Sequence, residues 1–360
     1  GKTYTMEGYD YENSTSVQAD PKARARPVPR IRTSSQDKIG IIPRALAALF
    51  DELELERSNC ESAKKGEKLA VRCSFVQIYN ERVLDLLNPA SNGLKSGRGG
   101  GGSGNGGGGG GGGSGGRGPA GNPGLKLRWS QQRGFYAENL YVVEVESQAD
   151  AVRVFHTGLQ GKIMAGHSMN AASSRSHCIF SVIVHRTSRA EDVVAGAQGE
   201  KVTSSTISFV DLAGSEKASQ TGATGVTLNE SIGINTSLHA LRKVIKALAD
   251  SAERGGDGNQ HVHVPYRDSK LTSLLQHAIG GNSITVMVAC LSPCDRSVEE
   301  NLSTLQYASR AQSIENRPVV NVDPTTRLIR RLRLEIRSLK KQLVQARRLA
   351  EIDAAGEFAH

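Results

Sequence analysis

Apolar segments of strand length alternate with amphipathic helices along most of this chain, and this alternation restricts the fold more than any other sequence feature. Pro43 suits the first turn of a helix whose apolar face carries Leu46, Phe50 and Leu53. Further helices are predicted at residues 147–163, 228–249, 268–279 and 297–313, and strands at 69–79, 178–185, 206–210 and 284–291. This order is typical of an α/β protein with three layers around a largely parallel central sheet.

Two low-complexity stretches interrupt the pattern. Residues 9–38 are polar, with scattered Pro and Arg, which indicates a long surface loop. Residues 91–124 are dominated by glycine, since 19 of the 40 glycines of the chain lie between Gly97 and Gly124. Polyglycine cannot bury enough surface to offset its ordering entropy, so a disordered, flexible insertion is predicted there rather than a phosphate-binding loop.

The composition excludes several classes of protein. Hydrophobic residues make up 38% of the chain and charged residues 22%, which is typical of a soluble globular protein. No apolar run approaches the roughly 20 residues that span a bilayer, so no membrane span is predicted. Five cysteines without a CxxC pair argue against a disulfide framework or a zinc site and fit a reducing cytoplasm. The chain begins without an initiator Met or a signal peptide, which suggests a fragment.

The net charge of +9 is concentrated near the C-terminus. Residues 317–348 contain ten Lys or Arg and two Asp or Glu, a net of +8, whereas residues 1–316 carry about +4 because the last residues are acidic. Such a segment favours an acidic partner, although a solvated helix face has the same composition. Nothing in the sequence indicates a nucleic-acid partner.

The basic segment also has a heptad period. Apolar residues at positions 329, 332, 336, 339, 343, 346 and 350 are spaced alternately by three and four residues, and Pro324 separates them from the body of the chain. The seam within residues 327–350 favours the start of a coiled coil. One amphipathic helix packed on the body would show the same local pattern.

The first three residues match the end of a phosphate-binding loop of the form GxxxxGK[ST]. In such a loop the Lys2 ammonium neutralises phosphate oxygens and the Thr3 hydroxyl binds Mg²⁺. A GKT tripeptide is common by chance, so its meaning depends on the motifs that accompany it.

Two accompanying motifs suit the same chemistry. Asp211 follows a predicted strand in the string VDLAG, where its carboxylate can hold a Mg²⁺-bound water while Gly214 brings a backbone N–H close to a phosphate. The string NAASSRSH at 170–177 places a cluster of hydroxyls beside Arg175, which needs an anion such as Glu216 to pair with. Either string by itself could be an ordinary polar loop.

Taken together, these strings resemble the signature motifs of kinesin motor domains. Residues 170–177 are similar to the first switch of that family, residues 211–216 (DLAGSE) to its second switch, and the opening GKTYTMEG to its phosphate loop. Residues 264–272 (VPYRDSKLT) look like its microtubule-contacting loop and helix, and residues 301–310 (NLSTLQYASR) look like its last motor helix.

The resemblance implies a P-loop NTPase fold and microtubule-stimulated ATP hydrolysis with Mg²⁺. Phosphates and metal would contact residues of the phosphate loop and the switches, namely Gly1, Lys2, Thr3, Ser173, Ser174, Asp211 and Gly214. Thr3 and Ser174 would bind Mg²⁺ directly, and Asp211 would hold it through water. Arg175 and Glu216 would form the ion pair that closes the site and organises the attacking water. Tyr4 would lie beside the adenine.

The resemblance also implies a partner and a location, namely microtubules in the cytoplasm. Tyr266, Arg267, Lys270 and the helix at 228–249 would contact the acidic surface of tubulin. Arg267 could instead form a structural ion pair with a neighbouring carboxylate.

The implied layout is that of an N-terminal, plus-end-directed motor. Residues 1–90 and 125–313 would form the motor body around the insertion at 91–124, residues 314–326 the neck linker with Asn321 pinning it, and residues 327–350 a neck helix that supports a homodimer. Like charges along that helix would weaken the dimer.

The sequence departs from the family in two places. The family has further strands and the first half of its phosphate loop before the residues that correspond to Gly1, so we expect the chain by itself to bind ATP poorly and to aggregate. The family usually has Gly where Arg242 lies, and a long cation there could add affinity for microtubules or disturb helix packing.

Rival functions remain at the level of sequence. One is a kinesin-like module that binds microtubules without productive turnover, and another is a truncated, non-functional product. A signalling GTPase is disfavoured because no NKxD-type motif lies at a suitable place. The sequence does not define the subfamily, the cargo, the velocity or the oligomeric state.

Overall fold

The structure is a computed structural model of the 360-residue chain. It describes residues 1–8, 39–63, 68–88, 124–131, 133–167, 176–191, 198–214, 226–253, 263–321, 328, 331–332 and 334–345. The predicted surface loop at 9–38 and nearly all of the predicted glycine insertion lie outside these residues.

The chain divides into two compact units. The first comprises Gly1–Glu54, Arg72–Val182 and Ile207–Val319, and the second comprises Leu55–Val71, Ile183–Thr206 and Val320–His360. The first unit contains the motifs identified in the sequence and is described first.

The elements follow the predicted alternation of helices and strands. The helices are α1 (Lys2–Glu7), α2 (Ile41–Ala63), α3 (Gln148–His167), α4 (Val226–Glu253), α5 (Lys270–Leu274) and α6 (Val298–Gln312). The strands are β1 (Lys68–Tyr79), β2 (Arg82–Asp85), β3 (Leu127–Ser130), β4 (Gly134–Ala137), β5 (Val143–Val145), β6 (His177–Glu191) and β7 (Gln198–Asp211).

The main sheet has the strand order β2-β1-β6-β7, with β5 also paired to β1, while β3 and β4 form a separate hairpin. The prediction of a largely parallel sheet was wrong, because antiparallel pairing dominates. Asn80 and Glu81 join β1 to β2 with φ values of 46° and 55°, the left-handed pair that a tight hairpin turn requires. Only residues 192–197 separate the neighbours β6 and β7, whereas a parallel crossover needs about a dozen residues.

The prediction of helices on both faces of the sheet was correct. Successive side chains of a strand point to opposite faces, and β1 is buried continuously from Cys73 to Ile78. On one face Phe75 stacks on Phe155 of α3, with ring centroids 5.7 Å apart. On the other face Val76 and Ile78 join a core cluster with Leu241 and Ile245 of α4 and Leu271 of α5.

The prediction of a buried strand at 284–291 was wrong. These residues form no strand, and the side chains of Ile284 and Val286 are 85% and 84% exposed. A strand needs a neighbouring strand for its backbone hydrogen bonds, and within the described part of the chain no strand pairs with this segment. The apolar composition alone therefore did not determine its state.

The predicted helix at 268–279 is much shorter in the structure. A single 3₁₀ turn at Tyr266–Asp268 precedes α5, and α5 begins with a capping box in which the Ser269 hydroxyl accepts from the Thr272 N–H. Non-helical turns follow from Leu275 to Gly280. Gly280 has a left-handed φ of 80°, at the end of this run of turns.

The segment after α6 contacts the turn at 278–285 within the first unit. The Asn316 side chain accepts from the Gly280 N–H at 2.7 Å and donates to the Ala278 carbonyl at 3.0 Å. The Arg317 N–H donates to the Gly281 carbonyl at 2.9 Å. This segment is the start of the predicted linker at 314–326.

In the second unit, residues 334–345 are helical. Ile336, Leu339 and Leu343 of the heptad seam are 52%, 57% and 53% exposed. The predicted coiled coil remains a prediction. Among the described residues, no helix has the length and apolar character needed to cross a membrane.

The packing of α3 on the sheet generates a stability prediction. A Cβ at Gly158 of α3 would lie 2.1 Å from Cδ1 of Phe75, inside the ring contacts of the core. We expect Gly158→Ala to lower the free energy of unfolding by about 1–3 kcal/mol, because a packed aromatic core cannot make room cheaply. Urea denaturation measures this change. Gly161→Ala, at a partly exposed position of the same helix, is the control and should be neutral or stabilising.

Candidate nucleotide site

Two motifs about 200 residues apart in sequence meet where α1 begins and β7 ends. The Thr3 hydroxyl donates to Oδ2 of Asp211 at 2.7 Å. The neighbouring Lys2 ammonium donates to the Ala213 carbonyl at 3.0 Å. The fold therefore brings the Lys-Thr pair of the GKT tripeptide against the DLAG string, as their shared chemistry required.

A buried ionic cluster supports Asp211 from behind. The Lys162 ammonium of α3 lies 3.4 Å from Oε1 of Glu7 and 3.6 Å from Oδ2 of Asp211, and all three side chains are at least nine-tenths buried. Burial by itself lowers the pKa of Lys162, but Cys178, Glu7 and Asp211 outweigh burial and hold that pKa above its ordinary value. Lys162 therefore stays charged and neutralises two buried carboxylates.

Sequence reasoning missed Lys162, although a signal was present. Phe155, Leu159 and Lys162 are spaced by four and three residues, which places the lysine on the buried face of α3. A cation on an apolar helix face indicates a buried anionic partner, because an unpaired charge is costly to bury.

Glu7 reaches this cluster because α1 ends abruptly after it. Gly8 takes a left-handed φ of 75° and its N–H donates to the Tyr4 carbonyl at 2.8 Å. Gly40 packs against that end of the helix so closely that a Cβ there would lie 2.5 Å from the Met6 carbonyl oxygen. Glycine is therefore required at position 40, just before α2.

Asp211 retains one carboxylate oxygen without a hydrogen-bond partner among the described residues. Its residue is 8% exposed, and Oδ1 is buried with no hydrogen-bond partner in the described part of the chain. Those residues also contain no group of three His, Cys, Asp or Glu side chains that could hold a metal. The Thr3 hydroxyl and the unpartnered Asp211 oxygen fit Mg²⁺, which dehydrates reluctantly and would keep waters of its own.

His177 connects the loop after β7 to helix α4. The Ala213 N–H donates to His177 Nδ1 at 3.0 Å, so the ring proton lies on Nε2, which donates to the Ser237 hydroxyl at 2.8 Å. Burial, and then the Lys2 charge, lowers the pKa of His177 to about 4. The ring is therefore neutral at physiological pH. Sequence reasoning treated His177 only as the last letter of a motif.

The structure describes only some of the other residues that were predicted at the nucleotide site. Ser173, Ser174, Arg175 and Glu216 lie outside the described residues, so their roles remain predictions. Tyr4 is 45% exposed on α1, so a ligand can reach its side chain. Its contact with an adenine remains a prediction. Gly1 lies beside Cys290, and Gly214 ends the described segment after β7.

The predicted microtubule contacts lie on and before α5. The Tyr266 hydroxyl donates to the Ile279 carbonyl at 2.6 Å, so part of its role is structural. Arg267 and Lys270 are exposed. The Arg267 guanidinium lies 5.9 Å from the ring centroid of Phe135, and no ion pair with a carboxylate is found for it among the described residues. Arg242, Lys243 and Lys246 are exposed on the adjacent helix α4.

The fold and this site define a P-loop-type α/β protein, in which a Lys-Thr pair at the start of a helix faces an aspartate at the end of a strand. The sequence model of the kinesin motor domain matches residues 1–314. The chain therefore belongs to the kinesin motor domain family.

Curated relatives agree with this assignment. The chain is 40% identical over 310 residues to the human kinesin-like protein KIF13A, covering 86% of this chain and 15% of that protein. It is 37% identical over 318 residues to the kinesin-like protein KIN-4A of Oryza sativa subsp. japonica, covering 86% of this chain and 28% of that protein. The chain thus spans well under a third of these relatives.

Solved structures are similar as well. One is a KIF14 dimer in a two-heads-bound state, with AMP-PNP and in complex with a microtubule: the TM-score is 0.64 at 32% identity, covering 83% of this chain and 71% of that one. Another is a fast kinesin with a TM-score of 0.60 at 33% identity, covering 90% of this chain and 70% of that one.

The buried cluster generates a stability prediction. Replacing Lys162 with Met leaves two carboxylates buried without their cation, so we expect the free energy of unfolding to fall by about 3–5 kcal/mol. Lys243→Met breaks a surface ion pair with Asp268, whose side chains are 52% and 45% exposed, and should cost less than about 1 kcal/mol. Equal losses in urea denaturation would contradict the central role of Lys162.

Proposed function

We propose that this chain is the ATP-hydrolysing motor part of a protein that moves along microtubules. The observation that carries the proposal is the contact of Lys2 and Thr3 with the Asp211–Gly214 segment, in a chain of the kinesin motor domain family. The similar structure with AMP-PNP and a microtubule supports the choice of nucleotide and partner.

The proposed chemistry is positioning and charge neutralisation, which dominate phosphoryl transfer. Lys2 neutralises the terminal phosphates of ATP, and Thr3 offers its hydroxyl to the metal. Mg²⁺, when bound, neutralises further charge on the phosphate oxygens. Asp211 orients Thr3 through Oδ2, and its unpartnered Oδ1 would hold the metal through water. The Lys162 ammonium stabilises the buried negative charge of Asp211 and so keeps that carboxylate in position.

The switch residues complete the proposed site. Ser173 and Ser174 sense the γ-phosphate and the metal, and the Gly214 N–H donates to the γ-phosphate. Arg175 and Glu216 pair to close the site and to orient the attacking water. These assignments rest on the resemblance of the strings NAASSRSH and DLAGSE to the family motifs.

The proposed track surface is cationic. Arg242, Lys243 and Lys246 of α4 and the neighbouring Arg267 and Lys270 expose five cations. Cations on one surface steer a protein toward an acidic polymer and suppress unsuitable partners. Arg242 adds to this set, which favours the first of its two predicted effects, a gain in affinity for the microtubule.

We further propose a cytoplasmic protein of the microtubule cytoskeleton with a homodimerising neck. The contacts of Asn316 with the turn at 278–285 support a linker that begins at residue 314. The half-exposed Ile336, Leu339 and Leu343 of a helical segment leave an apolar seam for a second copy.

The test is ATP turnover by the full-length protein with and without microtubules. We expect stimulation by microtubules, and we expect Glu216→Ala to reduce the stimulated rate by about 10²-fold or more because the attacking water loses its orientation. Glu52→Ala, an exposed carboxylate on α2, is the matched control and should leave the rate unchanged. Microtubule binding without stimulated turnover would instead define a passive binding module.

A further inference from the structure

Three elements of the first unit meet at the His177 imidazole. His177 begins β6, Ala213 follows β7, and Ser237 belongs to α4. The Ala213 N–H donates to Nδ1 at 3.0 Å and Nε2 donates to the Ser237 hydroxyl at 2.8 Å. His177 and Ser237 are 2% and 3% exposed, so water does not replace either bond cheaply. One neutral ring therefore ties the loop after β7 to α4.

Ala213 is held from a second side by the phosphate-binding lysine. Its carbonyl accepts from Lys2 at 3.0 Å. That carbonyl and the Gly214 N–H belong to the same peptide group, and in a trans peptide the two point in opposite directions. With the carbonyl aimed at Lys2, the Gly214 N–H is aimed away from it. For Lys2 and Gly214 to contact one phosphate, either this peptide turns or the flexible Lys2 side chain leaves the carbonyl.

The hydrogen bond to His177 fixes the peptide group on the N-terminal side of Ala213. The Ala213 N–H lies on the preceding peptide group, which His177 holds in place. Glycine at position 214 permits large changes of backbone torsion on the other side. When the Ala213–Gly214 peptide turns, it turns about the Ala213 N–H side, which His177 holds and connects to α4.

Helix α4 can carry the effect of this anchor to the partner surface. Ser237 and Leu241 are buried one turn apart, while Arg242, Lys243 and Lys246 are exposed farther along the same helix. A helix is a rigid element with few ways to bend, so a change at Ser237 moves the exposed cations together.

We propose that His177 and Ser237 are positioning residues that couple phosphate binding at Lys2 and Gly214 to the microtubule affinity of α4. The inference rests on the proposed function and deepens it, because it assigns the coupling to one hydrogen-bonded bridge. It requires no contact of either residue with nucleotide or microtubule.

The test compares the microtubule affinity of the full-length protein with AMP-PNP and with ADP. The ratio of the two affinities measures the coupling between the sites. By linkage, microtubules change the relative affinity for the two nucleotides by the same factor. Ser237→Ala removes the acceptor for Nε2, and we expect it to lower the ratio by about fivefold or more toward one. Ser237→Thr keeps the hydroxyl and should restore the ratio.

Ser74→Ala removes another buried hydroxyl, on β1, and serves as the matched control with an unchanged ratio. If Ser237→Ala weakens both affinities equally and preserves the ratio, the hydroxyl is merely structural and the proposal is overturned. A wild-type protein that binds microtubules with a ratio of one overturns the coupling while leaving binding intact. A wild-type protein that does not bind microtubules at all refutes the proposed function itself.

Discussion

The site depends on one buried carboxylate. Asp211 ends a strand in a place where its charge is tolerated only because Lys162 lies 3.6 Å away and Thr3 donates to it at 2.7 Å. These contacts join β7, α3 and α1, and they explain why a lysine occurs on an apolar helix face. Oδ1 of Asp211 is a buried acceptor with no partner among the described residues, and it lies beside the Thr3 hydroxyl, which is why we propose a hydrated cation there.

The sequence predicted the elements whose pattern is local. The helices α3, α4 and α6 lie within a few residues of their predicted bounds, because long amphipathic periods need no knowledge of partners. The strand at 284–291 and the parallel sheet were predicted wrongly, because pairing and direction depend on what lies alongside and on connection lengths. The helix at 268–279 was predicted too long: α5 ends at Leu274 and non-helical turns follow, and an apolar period does not show where regular helical hydrogen bonding stops.

The same division applies to the site. Lys2, Thr3 and Asp211 were predicted from motifs, since phosphate chemistry requires fixed residue types, and the structure brings their two segments together. Lys162 and His177 were missed because their importance comes from burial beside groups that are distant in sequence. The two missed residues do the positioning: one fixes Asp211, and the other ties Ala213 to α4. Motifs reveal the groups that meet a ligand more readily than those that support them.

The central claim is that Asp211 provides the metal-dependent part of nucleotide binding. It is tested most directly by measuring ADP affinity of the full-length protein with and without Mg²⁺, for the wild type and for Asp211→Asn. The account predicts tighter binding with Mg²⁺ in the wild type and a loss of about 10–100-fold of that gain in the variant, with metal-free binding retained. A variant that keeps the whole effect of Mg²⁺ would contradict it.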